Sequence, residues 1–200
     1  MEFNLITADK LDYVLIKDFY LPEELKLIKD EVKDLHKHAD LCNPGSAIKD
    51  GRLLRKGKGL FLETLTGGRK FLNSSVIYRL SRKLFSEFIY KNVRNHGYLF
   101  KTFDELDVDS ILISYYENGD YYDVHTDRSI YSCITFLTMN EFSGGELEFP
   151  QFNQVIEPID NTMVIFPSAV EHKVNPIKSN KDGPCRVSLT DFVTYSLDSV

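Results

Sequence analysis

Apolar positions change their spacing partway along the chain. Between residues 21 and 39, Leu25, Ile28, Val32 and Leu35 recur at intervals of three and four, the repeat that lines up one face of an α-helix. Pro22 sits where a first helical turn tolerates the missing N–H. The spacing predicts an amphipathic helix with His36 and His38 at its polar, solvated end. A second helix is predicted over residues 74–93, with Val76, Leu80, Leu84 and Phe88 along one face. Between them, "NPGSAIKDGRLLRKGKG" (Asn43 to Gly59) carries the punctuation of a mobile loop. Its basic residues Arg52, Arg55, Lys56 and Lys58 fit either a solvated loop, the default expectation, or a lid facing a substrate.

After Asp107 the pattern shortens. "VDSILISYY", "IYSCITFLT", "GELEFP", "TMVIFP", "HKVNPI" and "CRVSLTDFV" are β-branched and aromatic runs separated by Gly, Pro, Asn or Asp. Regularly spaced short strands predict a sandwich or barrel. The expected fold is mainly β with flanking helices (α+β), the helices packed outside a carboxy-terminal antiparallel double sheet. A chain of 200 residues suffices for one sizeable core and is short for two. A single domain is expected over 1–200, helical to about residue 106 and β from about 107 to 195.

Composition narrows the partners. The net charge of -6 leaves no general electrostatic footprint for a phosphate backbone, so nucleic acid is not expected. The opening "MEFNLITADKLDYVLIKDFY" has no basic segment followed by an apolar core, and no apolar run reaches membrane-spanning length. A soluble, cytoplasmic protein without a membrane partner is expected, and nothing in the pattern specifies an oligomeric state. Cys42, Cys133 and Cys185 are odd in number and widely separated, which predicts reduced thiols, two of them buried in strands.

The candidate chemistry lies in "YENGDYYDVHTD", Tyr116 to Asp127. If this segment is a strand, His125 and Asp127 project to the same side. In "MVIFPSAVEHKVNPI" a buried strand ends at Pro167 and His172 opens the next. A barrel can bring two such strand starts together. Two histidines and one carboxylate form the facial set that leaves positions open on a non-haem Fe(II) ion. Downstream, Arg186 and Ser188 share one face of a strand; a guanidinium in a strand core is costly unless it meets an anion, and its planar fork suits a carboxylate.

Tyr116, Gly119, Tyr122, His125 and Asp127 in the order YxxGxxYxxHxD, followed by "GGELEFP", "VIFPSAVEHKV" and Arg186, resemble the Fe(II)- and 2-oxoglutarate-dependent dioxygenases. Within these the segment is most similar to the prolyl 4-hydroxylase-like group, over roughly residues 109–193. The resemblance implies a double-stranded β-helix, or jelly roll, with iron on His125, Asp127 and His172. It further implies 2-oxoglutarate held by Arg186 and Ser188, with Tyr116 lining the same pocket and Tyr115 as the adjacent alternative. The implied activity is hydroxylation of an unactivated C–H bond, first of all in a prolyl residue of a peptide or protein. O2 is consumed, succinate and CO2 are released, and ascorbate is a candidate reductant. A free amino acid or other small molecule is the alternative substrate, and Arg52, Arg55 and Tyr122 are the candidate substrate-facing residues.

The segment departs from the family pattern in three places. Collagen-type prolyl hydroxylases carry lysine where this chain has Arg186, "SNKDG" lengthens the connection from His172 to Arg186, and the chain has no tryptophan. Two remoter readings compete. A metal-dependent hydrolase using the same triad would leave Arg186 and Ser188 without a purpose. An inactive jelly-roll binding domain would be expected to have lost at least one of His125, Asp127, His172 and Arg186.

Overall fold

The structure, a computed structural model, describes residues 1–8, 11–41, 48–65 and 73–195. The chain opens with strands β1 (Glu2–Ala8) and β2 (Leu11–Lys17), then helix α1 (Pro22–Leu35) and a 3-10 segment (His36–Leu41). Four short strands follow: β3 (Ile48–Lys49), β4 (Arg52–Leu53), β5 (Arg55–Lys56) and β6 (Lys58–Phe61). Helices α2 (Leu62–Leu65), α3 (Val76–Ser81) and α4 (Glu87–Arg94) lead into β7 (Leu106–Tyr116). The remainder is β8 (Tyr121–His125), β9 (Tyr131–Thr138), β10 (Ser143–Gly144), β11 (Leu147–Phe149), β12 (Gln154–Ile156), β13 (Thr162–Pro167), β14 (His172–Val174), β15 (Ile177–Lys178) and β16 (Arg186–Tyr195).

From β7 onward the chain passes back and forth between two antiparallel sheets, with β10 and β15 pairing apart from both. The larger has the order β1-β2-β13-β9-β16-β7-β6 and the smaller β12-β11-β14-β8-β5. This is the expected double-stranded β-helix. Alternation along the large sheet explains its near-continuous apolar runs, because both of its faces are covered. Tyr115, Cys133, Ile165, Val187 and Leu189 face the helices, where they pack with Ile28, Val32, Ile77 and Ile89 of α1, α3 and α4. Leu15, Ile134, Phe136, Val164 and Phe166 face the small sheet and meet Leu147, Phe149 and Ile156. No described helix is long and apolar enough to cross a membrane.

The amino-terminal part is not simply helical. β1 and β2 extend the large sheet through pairing of β2 with β13, because "DYVLI" puts Val14 and Ile16 on one face and Tyr13 and Leu15 on the other. The predicted second helix breaks. α3 ends at Ser81, a 3-10 turn covers Arg82–Phe85, and Ser86 is extended (φ -67, ψ 145) before α4 starts. The break shifts the phase, so Ile77, Leu84, Ile89 and Val93 are buried and Phe88 is exposed. The expected basic loop is a ribbon joining the sheets: Arg55 pairs with Tyr122 of β8, and Lys58 to Phe61 pair with β7. Residues 42–47, including Cys42, lie outside the described residues. Cys133 is buried in β9, whereas buried Cys185 immediately precedes β16. His36 is not simply solvated; its ring lies 4.9 Å from that of Tyr115.

One buried polar group opposes this packing. Asp191 of β16 faces the helices, 1% exposed, and burial pushes its carboxyl up to about 7 while Ser81 and Arg82 offset only part of that cost. The unfolded chain releases this proton near pH 4, so between about pH 4 and 7 the folded state alone retains it, and stability falls as pH rises. Asp191→Asn is expected to remove that slope, which amounts to at most about 4 kcal/mol at 1.36 kcal/mol per pKa unit. Denaturant unfolding at pH 5 and pH 8 checks this; an unchanged slope would assign the dependence to another group.

Candidate metal centre

The two sheets line a cavity of about 300 Å³, with β7 and β16 contributing much of its wall. His125 closes β8, His172 opens β14, and the two are register partners across the small sheet. Each imidazole is held the same way. Nδ1 of His125 lies 2.8 Å from the Asp123 carbonyl oxygen, and Nδ1 of His172 lies 2.9 Å from that of Val170. A carbonyl only accepts, so Nδ1 carries the hydrogen and Nε2 presents its lone pair to the centre.

Asp127 arrives differently from the expectation. β8 ends at His125, so strand alternation does not align the pair. Instead the Asp127 N–H donates to the Ser168 carbonyl at 2.9 Å, which returns the loop to the end of β13. The Ser132 hydroxyl donates to Oδ2 of Asp127 at 2.5 Å and lies 2.9 Å from the Ser168 hydroxyl. Nε2 of His125 is 3.8 Å from Oδ1 and Nε2 of His172 is 3.5 Å from Oδ2. One ligand atom from each of the three lies within 4.8 Å of the other two, close enough to converge on one divalent cation.

Protonation favours that use. Burial, with His172 close by, pulls the His125 imidazole down to about 3, so it is neutral and its lone pair is available near pH 7. Tyr122 stacks on it at 3.6 Å with an interplanar angle of 10° and forms cavity wall.

Deeper in the cavity stands Arg186, 1% exposed. Its guanidinium lies 4.8 Å from the Tyr116 ring and 5.1 Å from that of Phe136. Burial works against its charge and Tyr116 offsets only part of that cost, and none of the three guanidinium nitrogens has a hydrogen-bond partner of ordinary geometry. Buried donors are satisfied in native proteins as a rule, and three orphaned donors on a buried cation have the chemistry to receive an anion. Arg186 pairs with Tyr116 and Ser188 with Ser114 across β16 and β7, and all four line the cavity.

Tyr115 points the other way and donates its hydroxyl to the Val32 carbonyl at 2.9 Å. Tyr116 is therefore the cavity tyrosine of the two. Tyr115→Phe is expected to cost about 1 kcal/mol of stability and to leave 2-oxoglutarate affinity unchanged; weakened binding in that variant would reverse the choice.

Of the candidate substrate-facing residues, Tyr122 lines the cavity, Arg55 lies buried against it, and Arg52 is exposed and paired with Asp123 at 2.8 Å. Ser132, Ser168 and the two carbonyls that orient the histidines were not recognisable beforehand. The only local trace is hydroxyl residues inside apolar strand runs, "YSCITF" and "IFPS".

Residues 111–194 match the family model described as the 2OG-Fe(II) oxygenase superfamily. The matched segment runs from β7 to β16 and carries His125, Asp127, His172 and Arg186. Enzymes of that superfamily use Fe(II), 2-oxoglutarate and O2. Comparison with curated proteins finds no match. Among solved structures, the chain resembles a prolyl-4-hydroxylase from Pseudomonas putida at 17% identity, with a TM-score of 0.60 over 95% of this chain and 94% of that one. It also resembles OsALKBH1, at 14% identity and a TM-score of 0.62 over 96% and 99% of the two chains. A third likeness is to a prolyl hydroxylase from Trichoplax adhaerens, solved with a hypoxia inducible factor oxygen degradation domain peptide fragment. There the identity is 18% and the TM-score 0.58, over 90% and 83% of the chains.

Proposed function

We propose that the protein hydroxylates a prolyl residue of a peptide or protein, with His125, Asp127 and His172 holding Fe(II) and Arg186, Ser188 and Tyr116 holding 2-oxoglutarate. The observation that carries the cofactor assignment is the buried, partnerless guanidinium of Arg186 in the same cavity as the triad. When bound, iron with 2-oxoglutarate and O2 supplies the oxidant for C–H hydroxylation, releasing succinate and CO2. The chain supplies everything else. Asp127 sets the charge of the metal site, and Ser132 and Ser168 orient its carboxylate. The Asp123 and Val170 carbonyls aim the two imidazoles, as outer partners of metal ligands generally do. Arg186 fixes one end of the co-substrate by its charged fork, and the walls from Leu147 and Ile134 exclude water.

The prolyl substrate is supported by the likeness to two prolyl hydroxylases, one of them solved with a peptide. A free amino acid is the alternative. Anaerobic titration of the apo-protein with Fe(II) and then 2-oxoglutarate, followed by the visible charge-transfer absorption of the chelate, tests the cofactor reading. Succinate release on addition of proline-containing peptides or free proline tests the substrate. An iron-loaded protein that develops no band with 2-oxoglutarate would overturn the cofactor reading.

A further inference from the structure

The ribbon from Arg52 to Lys58 carries four basic residues, and three of them have a carboxylate beside them. Arg52 pairs with Asp123 at 2.8 Å, Lys56 with Asp120 at 3.5 Å and Lys58 with Glu117 at 3.7 Å. The fourth, Arg55, is the buried one, 7% exposed, and among the described residues no carboxylate lies within salt-bridge distance of it. Its Nε is buried without a hydrogen-bond partner.

The surroundings are built around this cation. Arg55 opposes Tyr122 in the β5–β8 ladder, and its guanidinium lies 5.9 Å from the Tyr122 ring, the ring that stacks on His125. On its other side is Gly59 of β6. A Cβ there would stand 2.6 Å and 2.8 Å from the two terminal guanidinium nitrogens, so a larger residue would displace the group from this position. Gly59 pairs with Ser114, which lines the cavity. Arg55 thus bridges the two sheets beside the metal centre.

Formal charge points to its use. On the proposed function, the two positive charges of the metal and the one on Arg186 balance Asp127 and the dianion of 2-oxoglutarate. Arg55 is left over, and burying a cation without a partner is costly. We infer that Arg55 receives a carboxylate of the substrate, making this oxygenase selective for an anionic substrate. The carboxylate comes either from an acidic side chain beside the hydroxylated residue of a peptide or from the main-chain carboxylate of a free amino acid. This rests on the cofactor reading above.

The test is calorimetric titration under anaerobic conditions of protein loaded with Mn(II) and 2-oxoglutarate. The probes are a capped peptide with aspartate flanking proline, its asparagine counterpart, free L-proline and L-prolinamide. In the native protein at least one carboxylate probe should bind about 30-fold or more tightly than its amide, the range for a buried charged partner. A preference in the peptide pair alone identifies an acidic side chain; one in the proline pair alone identifies a free amino acid. Arg55→Gln and Gly59→Ala should each abolish the preference, and Arg55→Lys should keep part of it. Absence of a carboxylate preference in the native protein, including failure of every probe to bind, overturns the inference without requiring any variant to fold. A preference that survives in folded Arg55→Gln overturns it too. Arg55→Gln should retain native affinity for 2-oxoglutarate; if the native protein itself binds none, the cofactor reading fails instead.

Discussion

Asp127→Ala will lose the iron–2-oxoglutarate absorption and all turnover. The carboxylate is the only anionic member of the triad, so its removal takes away a ligand and the charge that the metal site needs. What remains is two imidazoles, one of them held neutral down to about pH 3 by burial. Among the described residues no other carboxylate joins this group, and Ser132 and Ser168 offer hydroxyls, which are weak ligands at neutral pH. Ser132→Ala provides the scale. That variant keeps the ligand but loses the donor that orients it, and effects of this kind are about 10- to 100-fold in metal affinity or activity. The Asp127→Ala loss should exceed it clearly, measured by anaerobic Fe(II) titration and succinate release on the same preparations. Retained turnover in Asp127→Ala would remove Asp127 from the metal site.

The triad was legible in the sequence, but for a reason that the structure replaces. His125 and Asp127 were matched by strand alternation, whereas the strand stops at His125 and the loop is set by the Asp127 N–H bond to Ser168. That bond joins residues far apart in sequence, and no local pattern announces it. His172 at the start of a strand was legible because Pro167 and the polar residues after it end the preceding apolar run. Local punctuation of this kind survives in one dimension.

The misread elements share a physical cause. The ribbon of β5 and β6 is Gly- and Lys-rich and each strand is short, so its intrinsic signal is that of a loop. It becomes strand because β8 and β7 offer edges for it to pair with. β1 and β2 likewise gain their place from the edge of β13. In the second helical region periodicity spans the break, since Leu80 and Leu84 belong to one repeat, but Ser86 is extended and starts α4 in a new phase. The choice between Tyr115 and Tyr116 also needed three dimensions, because alternation cannot be counted through the Gly119 turn (φ +79).

Arg186→Ala will raise the 2-oxoglutarate requirement by a large factor while leaving Fe(II) binding in place. Truncating one partner of a buried charge pair costs on the order of 2 to 5 kcal/mol, or about 30- to several-thousand-fold in affinity. The guanidinium is fixed in advance by the Tyr116 and Phe136 rings and by the space beside Gly145, where a Cβ would stand 3.0 Å from Cδ of Arg186. That fixation means little ordering accompanies binding, so the lost contact should appear almost fully in the affinity. Arg186→Lys should fall between native and Ala, since an ammonium keeps the charge but lacks the two-pronged fork. The readouts are the co-substrate dependence of the charge-transfer band and the rise in unfolding temperature that 2-oxoglutarate confers on the metal-loaded protein. That rise should vanish in Arg186→Ala and persist in Arg55→Gln. An unchanged 2-oxoglutarate affinity in Arg186→Ala would move the co-substrate's anion site away from β16, and a loss in Arg55→Gln instead would place it on the ribbon.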